Sequence, residues 1–161
     1  MRQSRFPLRV NVGFTLTLQP GDSREMDFHF ASLTLAPELE MKNFKGVASF
    51  GRTRQGILLR GDFEAWLDQE CTRCLETFSY PIRTTFEELY AFDERHMTES
   101  ELILPEDGHI DLAPLLREYF IMEIPIQPIC NAECKGLCPI CGANRNKETC
   151  QHETEPTITT E

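Results

Sequence analysis

The residues best suited to chemistry in this 161-residue chain are seven cysteines and one histidine that lies two positions after the last of them. Their spacing is C-x2-C, a gap of 55 residues, and then C-x3-C-x3-C-x2-C-x8-C-x-H. Thiolates and imidazoles at such spacings are typical zinc ligands, and a tetrahedral site needs four of them. The sequence therefore predicts two zinc ions. The eight candidate ligands are Cys71, Cys74, Cys130, Cys134, Cys138, Cys141, Cys150 and His152.

These ligands divide into two predicted sites. The segment CPICG resembles a zinc knuckle, in which a tight turn directs two sulfurs and backbone N–H groups at one ion, and Gly142 permits that turn. One site would use the last four ligands, Cys138, Cys141, Cys150 and His152. The other would use the first four, Cys71, Cys74, Cys130 and Cys134, and would close a long loop of the chain. The partition stays open, because Cys134 and Cys138 can exchange places in it.

Metal also answers a packing problem at the C terminus. After Cys130 the apolar residues are too few to form a core, since Leu137 and Ile140 are the main ones that remain. Zinc binding supplies on the order of 10 kcal/mol of folding free energy in small metal-dependent domains. We therefore expect residues 126–152 to form a small zinc-stapled module packed on the hairpin at residues 71–74. Residues 153–161 are expected to be a disordered tail.

Two catalytic alternatives use the same cysteines. A thiol oxidoreductase motif opens a helix after a strand, whereas Cys71-Thr-Arg-Cys74 is flanked by strand-like sequence on both sides. A zinc hydrolase keeps an open position beside three protein ligands, whereas eight ligands fill two sites. His29, His96 and His109 lack ligand spacing and are expected at the surface or in loops. The sequence therefore favours a protein that is not an enzyme.

Alternating apolar residues predict the elements that position these ligands. One strand is predicted over residues 8–18, a short one at residues 26–30 and another near residues 47–50. Alternation over residues 57–67 and again over 78–92 predicts a long antiparallel hairpin, wet on one face, with CTRC at its tip.

A helix is predicted over about residues 112–122, with Asp111 as its cap and Pro114 in its first turn. The fold class is therefore α+β: an antiparallel sheet of five to seven strands, curved or partly closed, with one main helix, occupying residues 1–125. The predicted core residues are Val10, Val12, Phe14, Leu16, Leu59, Phe63, Leu67, Ile82, Phe86, Leu115, Leu116 and Phe120.

The charge is divided unevenly along the chain. The net charge is −10, with nine basic and five acidic residues in 1–60 against seven and 21 in 61–161. A net-acidic surface disfavours non-specific binding to a phosphate backbone and permits binding to a basic protein. The simpler explanation is that most of this charge only keeps the protein soluble. A restricted basic patch remains the alternative. One set of candidates lies in the N-terminal half: Arg2, Arg5, Arg9, Lys42, Lys45, Arg52, Arg54 and Arg60. A second set, Lys135, Arg145 and Lys147, lies among the predicted ligands. The simpler explanation for the second set is that it screens the negative charge of the sulfurs.

The sequence also favours the cytoplasm. No stretch approaches 18 consecutive apolar residues, which argues against a membrane span, and the start MRQSRFPLRV lacks the apolar core of a secretory signal. Cysteines in a reducing compartment are expected to bind metal rather than form disulfides.

Three segments together resemble the YceD family, which is named for the accumulation of large-subunit ribosomal RNA. They are CTRCLETF, HIDLAPLLREYFIMEIPIQPIC and CNAECKGLCPICGANRN, and the resemblance extends over roughly residues 8–152. Two residues depart from the usual family pattern: Arg145, where Leu is common, and His152, where Cys is common. The second departure keeps a zinc ligand.

The resemblance implies a non-enzymatic role in large ribosomal subunit biogenesis, in the synthesis, processing or accumulation of 23S rRNA. It brings no catalytic residues with it. We expect the chain to act as a platform that binds a ribosomal or rRNA-processing protein, with direct binding of rRNA as the alternative. Neither a membrane nor a small-molecule substrate is expected.

Overall fold

Two antiparallel sheets, one α-helix and two short 3-10 helices, Gly13–Thr17 and Glu94–His96, make up the regular structure of the described chain. The computed structural model describes residues 7–152. Its strands are β1 (Arg9–Asn11), β2 (Ser23–Leu35), β3 (Leu39–Arg52), β4 (Gly56–Glu70), β5 (Thr77–Ala91) and β6 (His109–Asp111), and its α-helix is α1 (Ala113–Glu123). The large sheet has the order β2-β3-β4-β5, and β1 pairs with β6 in a small one. The predicted α+β class is therefore confirmed, but the described strands form one sheet of four and one of two rather than a single sheet of five to seven. Because β2 and β5 are not paired with each other in the described residues, the large sheet is open rather than partly closed.

The long hairpin predicted from alternation is present as β4 and β5. Along β4 the buried residues Leu59, Phe63 and Leu67 recur on one face. The opposite face carries ion pairs between strands, with Asp62 accepting two hydrogen bonds from Arg83 at 2.9 and 2.6 Å. Alternating polarity thus gives the sheet one dry face and one wet face, as the pattern predicts.

A row of aromatic rings joins the dry face to α1. The ring of Phe63 stacks on Phe44 at 5.4 Å between centroids and on Phe86 at 6.1 Å. From the helix, Phe120 lies 6.0 Å from Phe44 and Tyr119 lies 4.7 Å from Phe86. Aromatic pairs at these separations contribute beyond the area that they bury. The sheet and the helix therefore share one core.

The prediction of Asp111 as the helix cap is wrong by one residue, because Leu112 is the N-cap of α1 and makes no side-chain cap hydrogen bond. The Asp111 carboxylate accepts the Ala113 N–H at 3.0 Å, and Pro114 lies in the first turn, where its missing N–H leaves no helical bond unmade. The helix ends just before Pro125. No helix in residues 7–152 combines the length and the apolar character that a bilayer crossing needs.

The prediction of one strand over residues 8–18 is wrong. Only β1 is a strand there, and residues Gly13–Thr17 form a 3-10 helix. The Asn11 side chain accepts the Gly13 N–H at 2.8 Å, and the Thr15 hydroxyl donates to the Val12 carbonyl at 2.6 Å. Such local bonds compete with a strand ladder. As a result Leu16, predicted in the core, is 53 % exposed, while Phe14 is only partly buried at the core edge.

The other ten predicted core residues are buried. They are Val10, Val12, Leu59, Phe63, Leu67, Ile82, Phe86, Leu115, Leu116 and Phe120.

The chain forms two compact units. Within the described residues, the first takes in the chain from Pro7 to Leu67 and Pro81–Ile124, and the second takes in Asp68–Tyr80 and the chain from Pro125 to His152. The first holds most of the sheet, the helix and the aromatic core. The second holds all of the cysteines. The predicted division into a body of residues 1–125 and a module of residues 126–152 stays a prediction, and the predicted tail at 153–161 lies outside the described residues.

Candidate metal centres

The first cysteine cluster consists of Cys71, Cys74, Cys130 and Cys134, whose sulfur atoms all lie within 4.8 Å of one another. Cys71 follows the last residue of β4 and opens a tight turn, in which the Leu75 N–H donates to the Cys71 carbonyl at 2.9 Å. Leu75 closes that turn with φ of 58°, in the left-handed region. The turn directs the Cys71 and Cys74 side chains to the same side.

Backbone hydrogen bonds hold the C-terminal segment against this turn. The Thr72 N–H donates to the Pro128 carbonyl at 2.9 Å, and the Leu137 N–H donates to the Arg73 carbonyl at 3.0 Å. The Arg73 guanidinium also donates to the Cys134 carbonyl at 3.3 Å. These bonds hold Cys130 and Cys134 opposite Cys71 and Cys74, although only a small apolar cluster surrounds them.

The sulfur separations of the first cluster fit a zinc ion. Sγ of Cys71 lies 3.8 Å from Sγ of Cys134, and Sγ of Cys74 lies 3.8 Å from Sγ of Cys130. Four sulfurs at about 2.3 Å from a tetrahedral zinc ion lie roughly 3.8 Å from one another. All seven cysteines are free thiols. The donor set and its size therefore suit a closed tetrahedral site.

The electrostatics of the first cluster favour thiolate at some positions and oppose it at others. Burial of the Cys71 thiol opposes ionisation, but N–H donors from Cys130, Cys74 and Arg73 outweigh it and lower its pKa to about 6. Burial and the neighbouring thiols raise the pKa of Cys130 to about 12. Four adjacent thiolates repel one another unless a cation is placed among them.

The second cysteine cluster consists of Cys138, Cys141, Cys150 and His152, whose ligand atoms also lie within 4.8 Å of one another. The knuckle turn is closed by the Gly142 N–H, which donates to the Cys138 carbonyl at 2.8 Å, and Gly142 has φ of 75°. The Cys138 N–H in turn donates to the Ala143 carbonyl at 2.8 Å. Three thiolates and one imidazole form a common donor set for structural zinc.

The second cluster is much more open to solvent than the first. Cys138 is buried, Cys150 is half-buried, and both Cys141 and His152 are exposed. N–H groups of Cys141 and Ile140 point at the Cys138 sulfur and lower its pKa to about 6. Thiolate formation is thus favoured at the buried position of the knuckle.

Sequence reasoning missed the side chains that support the sulfurs. The Asn146 amide lies 3.4 Å from Sγ of Cys134, and its carbonyl accepts the Lys135 N–H at 2.8 Å. The Asn131 amide lies 3.6 Å from Sγ of Cys130. Asparagines that alternate with other residues after a knuckle, as in GANRN, are the sequence signal that points to such donors.

The basic residues among the ligands do not all act on sulfur directly. Lys147 donates to both carboxylate oxygens of Glu76 at 2.8 Å, and this ion pair holds the pKa of Glu76 below its usual value. The Asn144 amide donates to the same carboxylate at 3.3 Å. This group of contacts joins the end of the knuckle to the residue two positions after Cys74.

The structure brings the eight predicted ligands together in the two predicted groups of four. Cys134 lies with the first group and Cys138 with the second, and both groups can hold a metal ion. Binding of metal by these residues, and its identity as zinc, stay predictions. His96 and His109 lie outside both clusters and face Asp93 and Asp107, with Nδ1 of His96 3.0 Å from Oδ1 of Asp93 and Nδ1 of His109 2.8 Å from the Asp107 carbonyl.

Comparison with protein families decides the kinship of the chain. Residues 59–159 match the family described as "Large ribosomal RNA subunit accumulation protein YceD". The chain belongs to the YceD family. The match covers all but the first three residues of β4, the whole of β5 and α1, and every cysteine of the two clusters. The resemblance expected from the three sequence segments is therefore confirmed.

Curated relatives match a limited part of the chain. An uncharacterised protein of Mycobacterium tuberculosis is 32 % identical over 92 residues, which cover 55 % of this chain and 44 % of that protein. The YlbN protein of Bacillus subtilis is 34 % identical over 71 residues, covering 43 % and 41 %. The match thus spans less than half the length of these relatives.

A plant relative carries a functional name. The large ribosomal RNA subunit accumulation protein YCED homolog 1, chloroplastic, of Arabidopsis thaliana is 46 % identical over 46 residues, which cover 29 % of this chain and 14 % of that protein. No solved structure matches the chain.

Proposed function

We propose that this chain is a non-enzymatic factor that supports the accumulation of 23S rRNA during assembly of the large ribosomal subunit. Membership of the YceD family, whose description names large ribosomal RNA subunit accumulation, is the observation that carries the proposal. The chloroplast relative bears the same description. In this proposal the protein acts in the cytoplasm as a zinc-stabilised platform for a basic ribosomal or rRNA-processing protein.

The proposed role of zinc is structural. Each cluster supplies four protein ligands, so a tetrahedral ion in either one leaves no position for a substrate or a catalytic water. The sulfur spacing in the first cluster fits such an ion. This arrangement supports a folding role for the metal over a zinc hydrolase or a thiol oxidoreductase.

An acidic segment supports the choice of a basic protein partner. Residues 87–107 carry eight carboxylates and one arginine. Four of these carboxylates are exposed and make no ion pair or hydrogen bond within the described residues: Glu94, Glu99, Glu101 and Glu106. Met97 and Ile103 are also exposed in this segment, at 38 % and 40 %. Free carboxylates beside apolar side chains suit a basic protein surface.

Direct binding of RNA finds less support, because several candidate cations are engaged with other groups. Lys45 pairs with Glu64 at 2.6 Å, Arg9 pairs with Asp107, and Arg60 pairs with Glu87. Arg52 donates to the Leu16 carbonyl at 2.6 Å. A cation that must leave a carboxylate before it meets a phosphate contributes less to RNA affinity. Arg2 and Arg5 lie outside the described residues.

A charge-neutralised variant tests the platform. The variant replaces the four free carboxylates by glutamine, and its matched control makes four neutralisations elsewhere on the surface. The variant is E94Q/E99Q/E101Q/E106Q, and the control is E38Q/E40Q/E123Q/E133Q. Both changes shift the net charge equally, so only the location of the charge differs between them.

Two readouts follow in cells that lack the gene for this chain. We expect the wild type and the control to restore the ratio of 23S to 16S rRNA, and the variant to fail. The variant should also lose salt-sensitive binding to purified basic proteins of the large subunit. An unchanged rRNA ratio in cells without the chain contradicts the role in accumulation. Equal binding by variant and control contradicts the acidic platform but leaves the role in rRNA accumulation standing.

A further inference from the structure

The outer edge of β2 presents backbone groups that have no strand partner within residues 7–152, because β2 is the end strand of the large sheet. Two hydrogen bonds show which groups these are. The Arg52 N–H donates to the Asp22 carbonyl at 2.9 Å, toward β2, and the Thr53 N–H donates to the Gly56 carbonyl at 2.9 Å, toward β4. Bonding direction alternates along an antiparallel strand. Over Arg24–Phe30 the even-numbered residues of β2 therefore bond to β3, and the odd-numbered residues point their N–H and C=O groups outward. Beyond Ala31 the core-facing positions change from even to odd, at Leu33 and Leu35, so this parity holds only up to Phe30.

The side chains of this edge alternate in polarity. Met26, Phe28 and Phe30 are half-buried at the margin of the core, where Phe28 lies 5.9 Å from Phe63 between ring centroids. Asp27 and His29 are exposed on the wet face. The rings of Phe28 and Phe30 are therefore only partly covered, and they lie on a strand whose outer edge can pair with another strand.

We propose that a second copy of this chain pairs with this edge, β2 against β2 in antiparallel orientation, about a two-fold axis at Phe28. In this register Phe28 lies opposite its own equivalent, and Met26 lies opposite Phe30. On the wet face Asp27 of each copy lies opposite His29 of the other, so the dimer contains two Asp27–His29 pairs. The two four-stranded sheets become one continuous eight-stranded sheet.

The register follows from the residues themselves. A shift by one residue sets outward-pointing groups against groups that already bond to β3, so only shifts by two are open. A shift by two in one direction sets Asp27 against Asp27, and in the other direction it sets His29 against His29. The register centred on Phe28 places unlike groups opposite each other and apolar groups together, which is the arrangement that stabilises cross-strand pairs.

Sedimentation velocity of the full chain over a wide concentration range tests this interface. We expect a reversible dimer, and we expect Asp27→Lys to weaken its association roughly tenfold, because both cross-strand pairs lose the carboxylate that accepts a hydrogen bond from the His29 ring. The double variant D27K/H29E should restore the wild-type association constant. Glu106→Lys, which makes the same charge change at an exposed residue away from β2, is the control and should leave association unchanged.

Hydrogen exchange of individual amides gives the second readout. Amides of Glu25, Asp27 and His29 should exchange more slowly as concentration rises, whereas those of Phe28 and Phe30 should be protected at every concentration. A monomer throughout the range overturns the proposal. So does a dimer in which the odd-numbered amides keep their exchange rates, or in which Glu106→Lys weakens association as much as Asp27→Lys.

Discussion

The two cysteine clusters offer nearly the same donor atoms, but the surrounding chain holds them in different ways. In the first cluster Cys71, Cys74 and Cys134 are buried, and backbone hydrogen bonds join two segments that lie more than 50 residues apart in sequence. The second cluster is built from the local sequence 138–152, and two of its four ligands are exposed.

The two arrangements imply different structural roles for an ion at each site. In the first cluster an ion would close a long loop and would fix the position of the C-terminal segment on the turn at residues 71–75. In the second cluster an ion would order only the loop that carries its own ligands. We therefore expect loss of the first site to unfold the whole second unit, and loss of the second site to act locally.

The largest expected effect is that of Cys134→Ser. It removes a buried ligand, and the loss of a structural zinc ion forfeits on the order of 10 kcal/mol of metal-linked folding free energy. Hydrogen exchange should become fast over residues 68–80 and 125–152, while α1 stays protected. Retained protection at residues 128–137 would show that the first cluster does not hold this segment.

Cys141→Ser should have a smaller and more local effect. It removes an exposed ligand of the second cluster, so fast exchange should be confined to about residues 138–152. Elemental analysis should find one zinc ion fewer per chain than in the wild type. Exchange that spreads to Thr72 and Arg73 would mean that the two sites fold as one, and the contrast between them would fail.

Asn146→Ala tests a supporting donor rather than a ligand. The amide lies 3.4 Å from Sγ of Cys134, and loss of such an outer contact typically costs about 10-fold to 100-fold in metal affinity. Competition with a chromophoric chelator measures this change. Asn131→Ala is the control, since its amide lies farther from a sulfur, at 3.6 Å, and we expect it to change affinity less. Equal losses in both variants would argue against a specific role for Asn146.

The smallest effect belongs to the first unit, which contains no cysteine. The Tyr119 hydroxyl donates to the Glu88 carboxylate at 2.6 Å, and this bond, with burial, raises the pKa of Tyr119 to about 12. Because the pKa is raised, the stabilisation is complete below the unfolded pKa near 10 and is lost as pH rises through 12. Tyr119→Phe should lower the free energy of unfolding by about 1 kcal/mol.

The pKa of Tyr119 after chelation reports whether the first unit stays folded without metal. If the first unit folds without metal, the absorbance difference between the wild type and Tyr119→Phe should still titrate near pH 12 after zinc is removed. A fall of this pKa toward 10 on chelation would show that the first unit also depends on the clusters.

Regular patterns in the sequence predict regular parts of the structure well. Alternation around Leu59 and Phe63 predicts the β4–β5 hairpin, and the spacing of Leu115, Leu116 and Phe120 predicts α1, because burial on one face imposes those periods. Cysteine spacing predicts the two groups of ligands, since a knuckle needs its sulfurs a fixed few residues apart.

Individual hydrogen bonds decide the parts that patterns miss. Alternation continues through residues 13–17, yet the bonds made by Asn11 and Thr15 turn the chain there into a 3-10 helix. The amide of Asn146 reaches a sulfur 12 positions earlier in the sequence, a contact that no local period encodes. Strand order and the open edge of β2 likewise depend on long-range pairing.

The central claim is that metal held by the two clusters orders the chain from Cys130 to His152. Zinc content by elemental analysis, together with X-ray absorption at the zinc edge on the purified reduced protein, tests it most directly. The account predicts two zinc ions per chain, one with four sulfur ligands and one with three sulfurs and one nitrogen. A metal-free protein whose amides at residues 130–152 resist exchange would contradict it.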